Sequence, residues 1–280
     1  MSFGTILVQC DADKKLPSRL AVAAGLAERF GSHLVGLHTR PPFQPPVMFD
    51  GSVVVDLGDF YALHQDKTKA DEAAAAAAFA EAMRGKEISK EWRVVDGLLD
   101  DRLVAQSRAA DLVVVGQTDP DATTPTPSDL PQHVALASGR PVLVVPHVGV
   151  QAAPGKTVLL CWNASRESAR AASEALPLLK AASQVTVLIV DENAAASGEN
   201  AGHAADAVRW LGGHGVKAAV RRDVADSVDV GEVILSRVAD LGADLIVMGI
   251  YGHSRVREMV LGGASRTLLA GMTVPVFMAH

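Results

Sequence analysis

Only two cysteines occur among the 280 residues, Cys10 and Cys161, and each ends an apolar run. Two such residues make no disulfide framework, so buried thiols in a reducing compartment are expected. No stretch reaches the roughly 18 consecutive apolar residues of a membrane helix. The N-terminal MSFGTILVQCDADKK has no basic n-region, and its apolar run is too short for a signal peptide. A basic surplus is missing as well. The formal net charge is -6, and the only adjacent basic pairs are Lys14-Lys15 and Arg221-Arg222, which argues against a groove that displaces counterions from nucleic acid. The expectation is a cytoplasmic protein without nucleic-acid or membrane partners.

Catalytic and metal motifs are equally scarce. The nine histidines form no H-E-x-x-H and no Cys/His cluster, and no G-x-S-x-G elbow exists, Ser254 lying in G-H-S-R-V instead. A dinucleotide fingerprint G-x-G-x-x-G is absent after either candidate first strand. The segment from Gly149 to Thr157 imitates a phosphate-binding P-loop, but it has five residues between its glycines where four are needed, and it precedes a strand. No catalytic residue and no metal ligand is assigned.

What the chain does have is a core and an internal repeat. With 49% hydrophobic and 21% charged residues, its length fits two ordinary domains better than one. Strand-like TILVQC, HLVGLH, EWRVV, DLVVVG and PVLVVP alternate with helical segments at Leu16 to Phe30, about His64 to Arg84, Asp101 to Ala109 and Leu130 to Ser138. The order then returns. TVLLCW, QVTVLIV, VKAAVRR, DLIVMG and VPVFMA alternate with helices at Arg166 to Leu179, Gly202 to Leu211, Val230 to Leu241 and Arg257 to Ala270. Strands apolar at nearly every position imply a parallel sheet covered on both faces. The reading is α/β: two tandem, doubly wound, five-stranded domains, residues 1–147 and 156–280, joined by HVGVQAAPGK. The last strands, PVLVVP and VPVFMA, have no helix after them and are expected to pair across the halves, since exposed valine-rich edges invite aggregation.

The second half carries the informative loop. GIYGHSRVREMVLGG, residues 249–263, follows a strand, leads into a helix, and spaces Gly249, Gly252 and Gly262 as G-x2-G-x9-G. Glycines there let a backbone approach a polyanion closely, and N–H groups of the loop and helix can hold phosphate. Tight turns and close helix–sheet packing are the competing explanation for the same glycines.

Over essentially its whole length the chain resembles a tandem universal stress protein, through the order of elements, the Asp-Leu-Ile-Val-Met-Gly strand and the glycine spacing. That resemblance implies an adenine nucleotide alpha hydrolase-like fold in a pseudo-twofold arrangement. It also implies bound ATP or AMP, with or without Mg, a role in stress regulation, and no strong enzymatic activity. Carried over residue by residue, Asn163 takes the place of the family's first-strand Asp, Ile189 offers a backbone contact beside the base, and Met248 an apolar wall. Gly249 and Gly252 would approach ribose and phosphates, and Gly262, Gly263 and Ala264 would supply N–H groups. Gly263 replaces the family's Ser or Thr, a loss of one phosphate hydrogen bond worth about 1 to 2 kcal/mol. His253, Ser254, Arg255 or Ser265 are the candidates to compensate.

After Gly116 the first half reads QTDPDATTPTPSDLPQH, keeping one glycine and adding Asp119, Asp121 and Asp129. It is read as a copy that no longer binds nucleotide, although Asp11 stands where the first-strand acid belongs. Residues 40–63 are longer than the matching loop of the second half and are a candidate lid or interaction surface. Two functions are carried forward. One is a nucleotide-binding regulator with a single site in the second half. The other is an interaction or chaperone-like scaffold with a vestigial pocket and an unidentified protein partner. A slow ATPase is the weakest option, because no residue is placed to orient a water. Homodimerisation of the whole chain is left open.

Overall fold

The computed structural model describes residues 2–45, 57–118, 129–150, 153–191, 200–250 and 263–280. In the first half, β1 (Thr5–Cys10), β2 (His33–Arg40), β3 (Lys90–Asp96), β4 (Leu112–Gly116) and β5 (Val142–Val145) alternate with α1 (Leu16–Phe30), α2 (Leu57–Ala82), α3 (Leu99–Ser107) and α4 (Leu130–Ser138). The second half runs β6 (Thr157–Cys161), α5 (Arg166–Glu174), α6 (Leu176–Ala181), β7 (Gln184–Asp191), α7 (Asn200–Gly213), β8 (Ala218–Val224), α8 (Val230–Leu241), β9 (Leu245–Gly249), α9 (Gly263–Gly271) and β10 (Val276–Ala279).

Ten strands form one sheet in the order β3-β2-β1-β4-β5-β10-β9-β6-β7-β8. Neighbours within each half are parallel, and the halves meet through β5 and β10, which run antiparallel with Val144 opposite Val276 and Val142 opposite Met278. The two last strands therefore pair across the halves as their sequences required. Alternate residues feed two separate cores. Ile6, Val8, Val158 and Leu160 face the layer holding α1, α2 and α5 to α7, while Leu7, Val113, Leu159 and Ile246 face α3, α4, α8 and α9. Strands buried on both faces have no polar side to alternate with, which explains the continuous Val/Leu/Ile runs.

Local signals set most helix ends. Pro17 opens α1 and Gly31, at φ 65°, closes it, and α8 runs from an Asp229 N-cap to Gly242 at φ 57°. Two helices depart from the sequence expectation by more than a couple of residues at an end, and a third is described only in part. α2 is described from Leu57, so the last seven residues of the 40–63 segment are helical rather than loop. The single helix expected from Arg166 to Leu179 breaks at Ala175, because Pro177 cannot donate the hydrogen bond that would carry the helix through. α9 is described from Gly263, and the earlier part of the helix expected from Arg257 lies outside the described residues.

The aspartates that open DLVVVG and DLIVMG are structural. Asp111 Oδ2 accepts the N–H groups of Gly4 and Thr5 at 2.8 and 2.9 Å. Asp244 accepts those of Gly155, Lys156 and Thr157 at 3.1, 3.0 and 3.0 Å. Each carboxylate thus ties the strand it precedes to the first strand of its own half. Asp244→Ala leaves three amides without their charged acceptor and is expected to lower unfolding free energy by about 2 kcal/mol, read as a reduced midpoint in urea.

Candidate functional site

β6 lies between β9 and β7, so the chain leaves it toward one neighbour and returns on the other side. The carboxyl ends of β6 and β9 border the crevice that such a reversal of strand order creates. Beyond β6, Trp162 N–H donates to Leu188 O at 2.9 Å. Asn163 is exposed, and its Oδ1 accepts the N–H of Ser165 at 3.2 Å, which leaves its amide NH2 free of that turn. Ser165 caps α5 by accepting from Ser168 N–H at 3.1 Å. Between them Ala164 has φ 57°, a left-handed conformation that costs a non-glycine residue about 1 to 2 kcal/mol. Trp162 adds a second local cost, since its buried indole Nε1 has no hydrogen-bond partner among the described residues.

Ile189 is buried near the end of β7, and Met248 is buried in β9, opposite Met278 and in the same core as Leu268. Gly249 is required by packing: a Cβ there would fall 2.4 Å from the Glu167 carbonyl carbon and 2.5 Å from Ser168 N. Its close approach is to the first turn of α5. Glu167 is itself buried and paired with Arg166. Burial pushes its pKa up, but the Arg166 guanidinium and a backbone N–H outweigh that and hold the carboxyl below its ordinary value. Gly252, His253, Ser254, Arg255 and Gly262 lie outside the described residues. Gly263, Ala264 and Ser265 are the first described residues of α9, exposed, half-buried and buried in that order. The sequence reading missed Glu167, Ser168, Asp229 and Gly231, which frame this end of the sheet. The available signals were the Ser165-x-x-Ser168 spacing and the Asp229 cap.

In the first half the matching crevice is filled from within. Arg19 is buried. Its Nη2 donates to Asp11 Oδ1 at 2.5 Å and its Nη1 to Gln9 Oε1 at 3.1 Å, while Gln9 Nε2 donates to Asp11 Oδ2 at 2.9 Å. A Cβ on Gly116 would lie 2.8 Å from Arg19 Nη1, so the guanidinium sits against the end of β4. With Thr5 aligned to Thr157, Gln9 corresponds to Cys161, Asp11 to Asn163 and Arg19 to Ala171. The arginine that closes one crevice is an alanine in the other half. Of the three acids noted after Gly116, Asp129 stands at the start of α4, and Asp119 and Asp121 lie outside the described residues.

Gln117, next to Gly116, has a different task. Its Nε2 donates to Leu269 O and Ala270 O at 2.8 and 3.2 Å, and its Oε1 accepts His147 N–H at 2.9 Å. It therefore ties the first half to the carboxyl end of α9. The described part of the 40–63 segment packs Phe43 edge-on against Tyr61, with ring centroids 5.4 Å apart. Leu57, Phe60, Tyr61 and Leu63 stay exposed. Among the described residues, no group of three or more His, Cys, Asp or Glu could hold a metal ion, and no helix is long and apolar enough to cross a membrane.

Two tests follow from this geometry. Gly249→Ala is expected to lower stability by about 1 to 3 kcal/mol through overpacking against α5, measured by urea denaturation with no ligand added. Burial pushes the thiols of Cys10 and Cys161 up to about 12 from 9.0. Both are free and should resist an aromatic disulfide reagent at neutral pH until the chain is unfolded. The unfolded thiols ionise first, so stability should be lost as pH rises from about 9 toward about 12.

Residues 155–280 match the model of the universal stress protein family. The whole chain also superposes on solved structures. One is a universal stress protein from Archaeoglobus fulgidus DSM 4304, at TM-score 0.72 and 17% identity, covering 98% of this chain and 95% of that one. A putative universal stress protein from Pseudomonas aeruginosa UCBPP-PA14 aligns at TM-score 0.58 and 17% identity, over 99% and 93%. A protein of unknown function from Pseudomonas aeruginosa PAO1 aligns at TM-score 0.59 and 16% identity, over 99% and 92%. No curated protein matches the chain in sequence. At these identities the structural likeness establishes the fold.

Proposed function

From a chain whose residues 155–280 match the universal stress protein family model and whose fold aligns with a universal stress protein over nearly its whole length, we propose a cytoplasmic adenine-nucleotide-binding regulator of the stress response. Its single site lies in the second half. The observation that carries this reading is the asymmetry of the two crevices: Arg19 fills the first, paired with Asp11 and Gln9, and Ala171 takes its place by register in the second. The unpaired Trp162 Nε1 and the unused amide of Asn163 also fit a ligand rich in hydrogen-bond acceptors.

In this reading Asn163 holds the base or ribose, Ile189 contributes backbone beside the base, and Met248 closes the apolar side. Gly252, Gly262, Gly263 and Ala264 offer N–H groups to phosphate, with His253, Ser254, Arg255 and Ser265 making up for the hydroxyl absent at Gly263. Gly249 keeps α5 against β9 and so shapes the crevice, and its backbone approaches the ribose and phosphates. The protein binds and signals rather than turning over substrate, and occupancy of the loop changes a surface that a protein partner reads.

Denaturing freshly purified protein and separating the supernatant by anion exchange should release AMP or ATP at close to one equivalent per chain. Gly252→Val should abolish that release and leave the urea midpoint of the ligand-free protein unchanged. Added nucleotide at 100 times Kd should stabilise the wild type by about 2.7 kcal/mol. Two equivalents would mean the first half also binds. A second reading, an interaction scaffold, is favoured by the exposed Leu57, Phe60, Tyr61 and Leu63 on the first turns of α2. It would take the lead if no nucleotide is released and none shifts the melting temperature.

A further inference from the structure

We infer that β8, the outer strand of the second half, is a docking edge for a second copy of this chain, the two strands pairing antiparallel about a twofold axis at Arg222. The ten-stranded sheet ends in β3 on one side and β8 on the other. The two edges are protected differently. β3 is half-buried along its middle and packs Trp92 against Phe79 of the 26-residue α2, with ring centroids 5.4 Å apart. Its counterpart β8 lies beside the 14-residue α7 and leaves Val220 and Val224 45% and 41% exposed. Trp210 of α7 and Val228, just beyond the strand, are exposed as well. An open apolar edge of this kind invites another strand.

Register and charge select a second β8 as the partner strand. Ala225 N–H donates to Asp191 O at 2.8 Å, so by strand alternation the N–H and C=O groups of Val220, Arg222 and Val224 point away from β7. Their side chains share the α7 face of the sheet, since Val220 aligns with Val187 of that core. Arg221 and Asp223 take the opposite face, where Arg221 Nε and Arg237 Nε of α8 both donate to Asp223 Oδ2, at 3.3 and 2.7 Å. Among the described residues Oδ1 receives no such donor. Antiparallel pairing centred on Arg222 sets Val220 opposite Val224 of the second copy and Arg221 opposite Asp223 of that copy, and the twofold makes each match twice. The charged pairs fall at the non-hydrogen-bonded positions, where side chains approach most closely. Moving the centre to Arg221 or Asp223 loses every charge match and puts valine opposite Arg222. Arg222 meets its own copy at the centre, where each guanidinium has Asp191 of its own chain at 3.3 Å. One seven-residue ladder is a small contact, so the dimer forms in the micromolar range and weakens with salt.

Sedimentation velocity of the full chain, without nucleotide and across the micromolar range, tests this. The wild type should show a reversible monomer–dimer equilibrium that added salt shifts toward monomer. Val220→Lys puts a charge opposite Val224 of the second copy and should weaken the dimer about tenfold, with the urea midpoint unchanged because Val220 is exposed. Val224→Glu alone should do the same. In the double variant Val220→Lys/Val224→Glu the new charges face each other across the twofold and should restore the dimer, whereas within one strand they stand too far apart to pair. A wild type that stays monomeric overturns the proposal and leaves the edge to an extended segment of another protein. A dimer that both single variants leave intact overturns it too, and moves the contact to another surface such as Leu57, Phe60, Tyr61 and Leu63. Loss in both single variants without recovery in the double overturns the register and the proposal with it.

Discussion

The antiparallel pairing of β5 with β10 is the contact on which the rest of the molecule depends. Each is a four-residue strand buried on both faces, and each half would otherwise present it as an apolar edge. Joining them removes both edges and makes one ten-stranded sheet. It also fixes direction. Strands within a half are parallel, so antiparallel pairing at the centre points the carboxyl ends of the two halves opposite ways, and their crevices open at opposite ends of the sheet. Neither crevice can share a ligand with the other. Whatever passes between them must travel through elements that span the sheet, and α9 is one. Its described residues begin at Gly263, beside Asp229 at the start of α8, while its last carbonyls are held by Gln117 of the first half.

Duplication and the twofold account for what the halves share, and a few side chains account for what they do not. The backbone N–H of Gln117 bonds Val145 O as that of Ile250 bonds Ala279 O, yet Gln117 reaches across to cap α9 whereas Ile250 is a buried aliphatic residue. The Asx turn after the first strand is likewise kept, with Asp13 N–H on Asp11 and Ser165 N–H on Asn163. Only the first half adds an arginine to it. That substitution gives the acid a permanent counter-ion and places the guanidinium against Gly116.

The sequence made the architecture readable because its physics is periodic. Strands covered on both faces must be apolar throughout, and α1, α4 and α8 carry a proline or a cap at one end and glycine at the other, so their limits matched. What escaped was non-local or ambiguous in kind. The first turns of α2 hold Leu57, Phe60, Tyr61 and Leu63 on no buried stripe, so no helical periodicity marked them. Arg19 looks like any arginine on a helix surface until β1 and β4 are placed beside it. Gly249 satisfies a phosphate-loop pattern and a helix-packing requirement with the same missing Cβ, and the second becomes visible only in the distance to Glu167. Asp229 lies 34 residues before Gly263, and nothing local to either position announces their meeting.

The distribution of unfavourable features separates the halves further. In the first half the residues after β1 are relaxed: Cys10 Sγ donates to Val8 O, Asp11 has its arginine, and Ala12 is not among the residues with positive φ. In the second half the corresponding three are an indole whose Nε1 has no partner among the described residues, an asparagine whose NH2 the turn does not use, and an alanine held at φ 57°. The fold does not require the left-handed backbone at Ala164, because Ala12 at the matching position of the first half does without it. The first crevice keeps an orphan of its own, since the buried Nε of Arg19 has no hydrogen-bond partner among the described residues, so what sets the second crevice apart is the left-handed backbone at Ala164 beside the indole of Trp162.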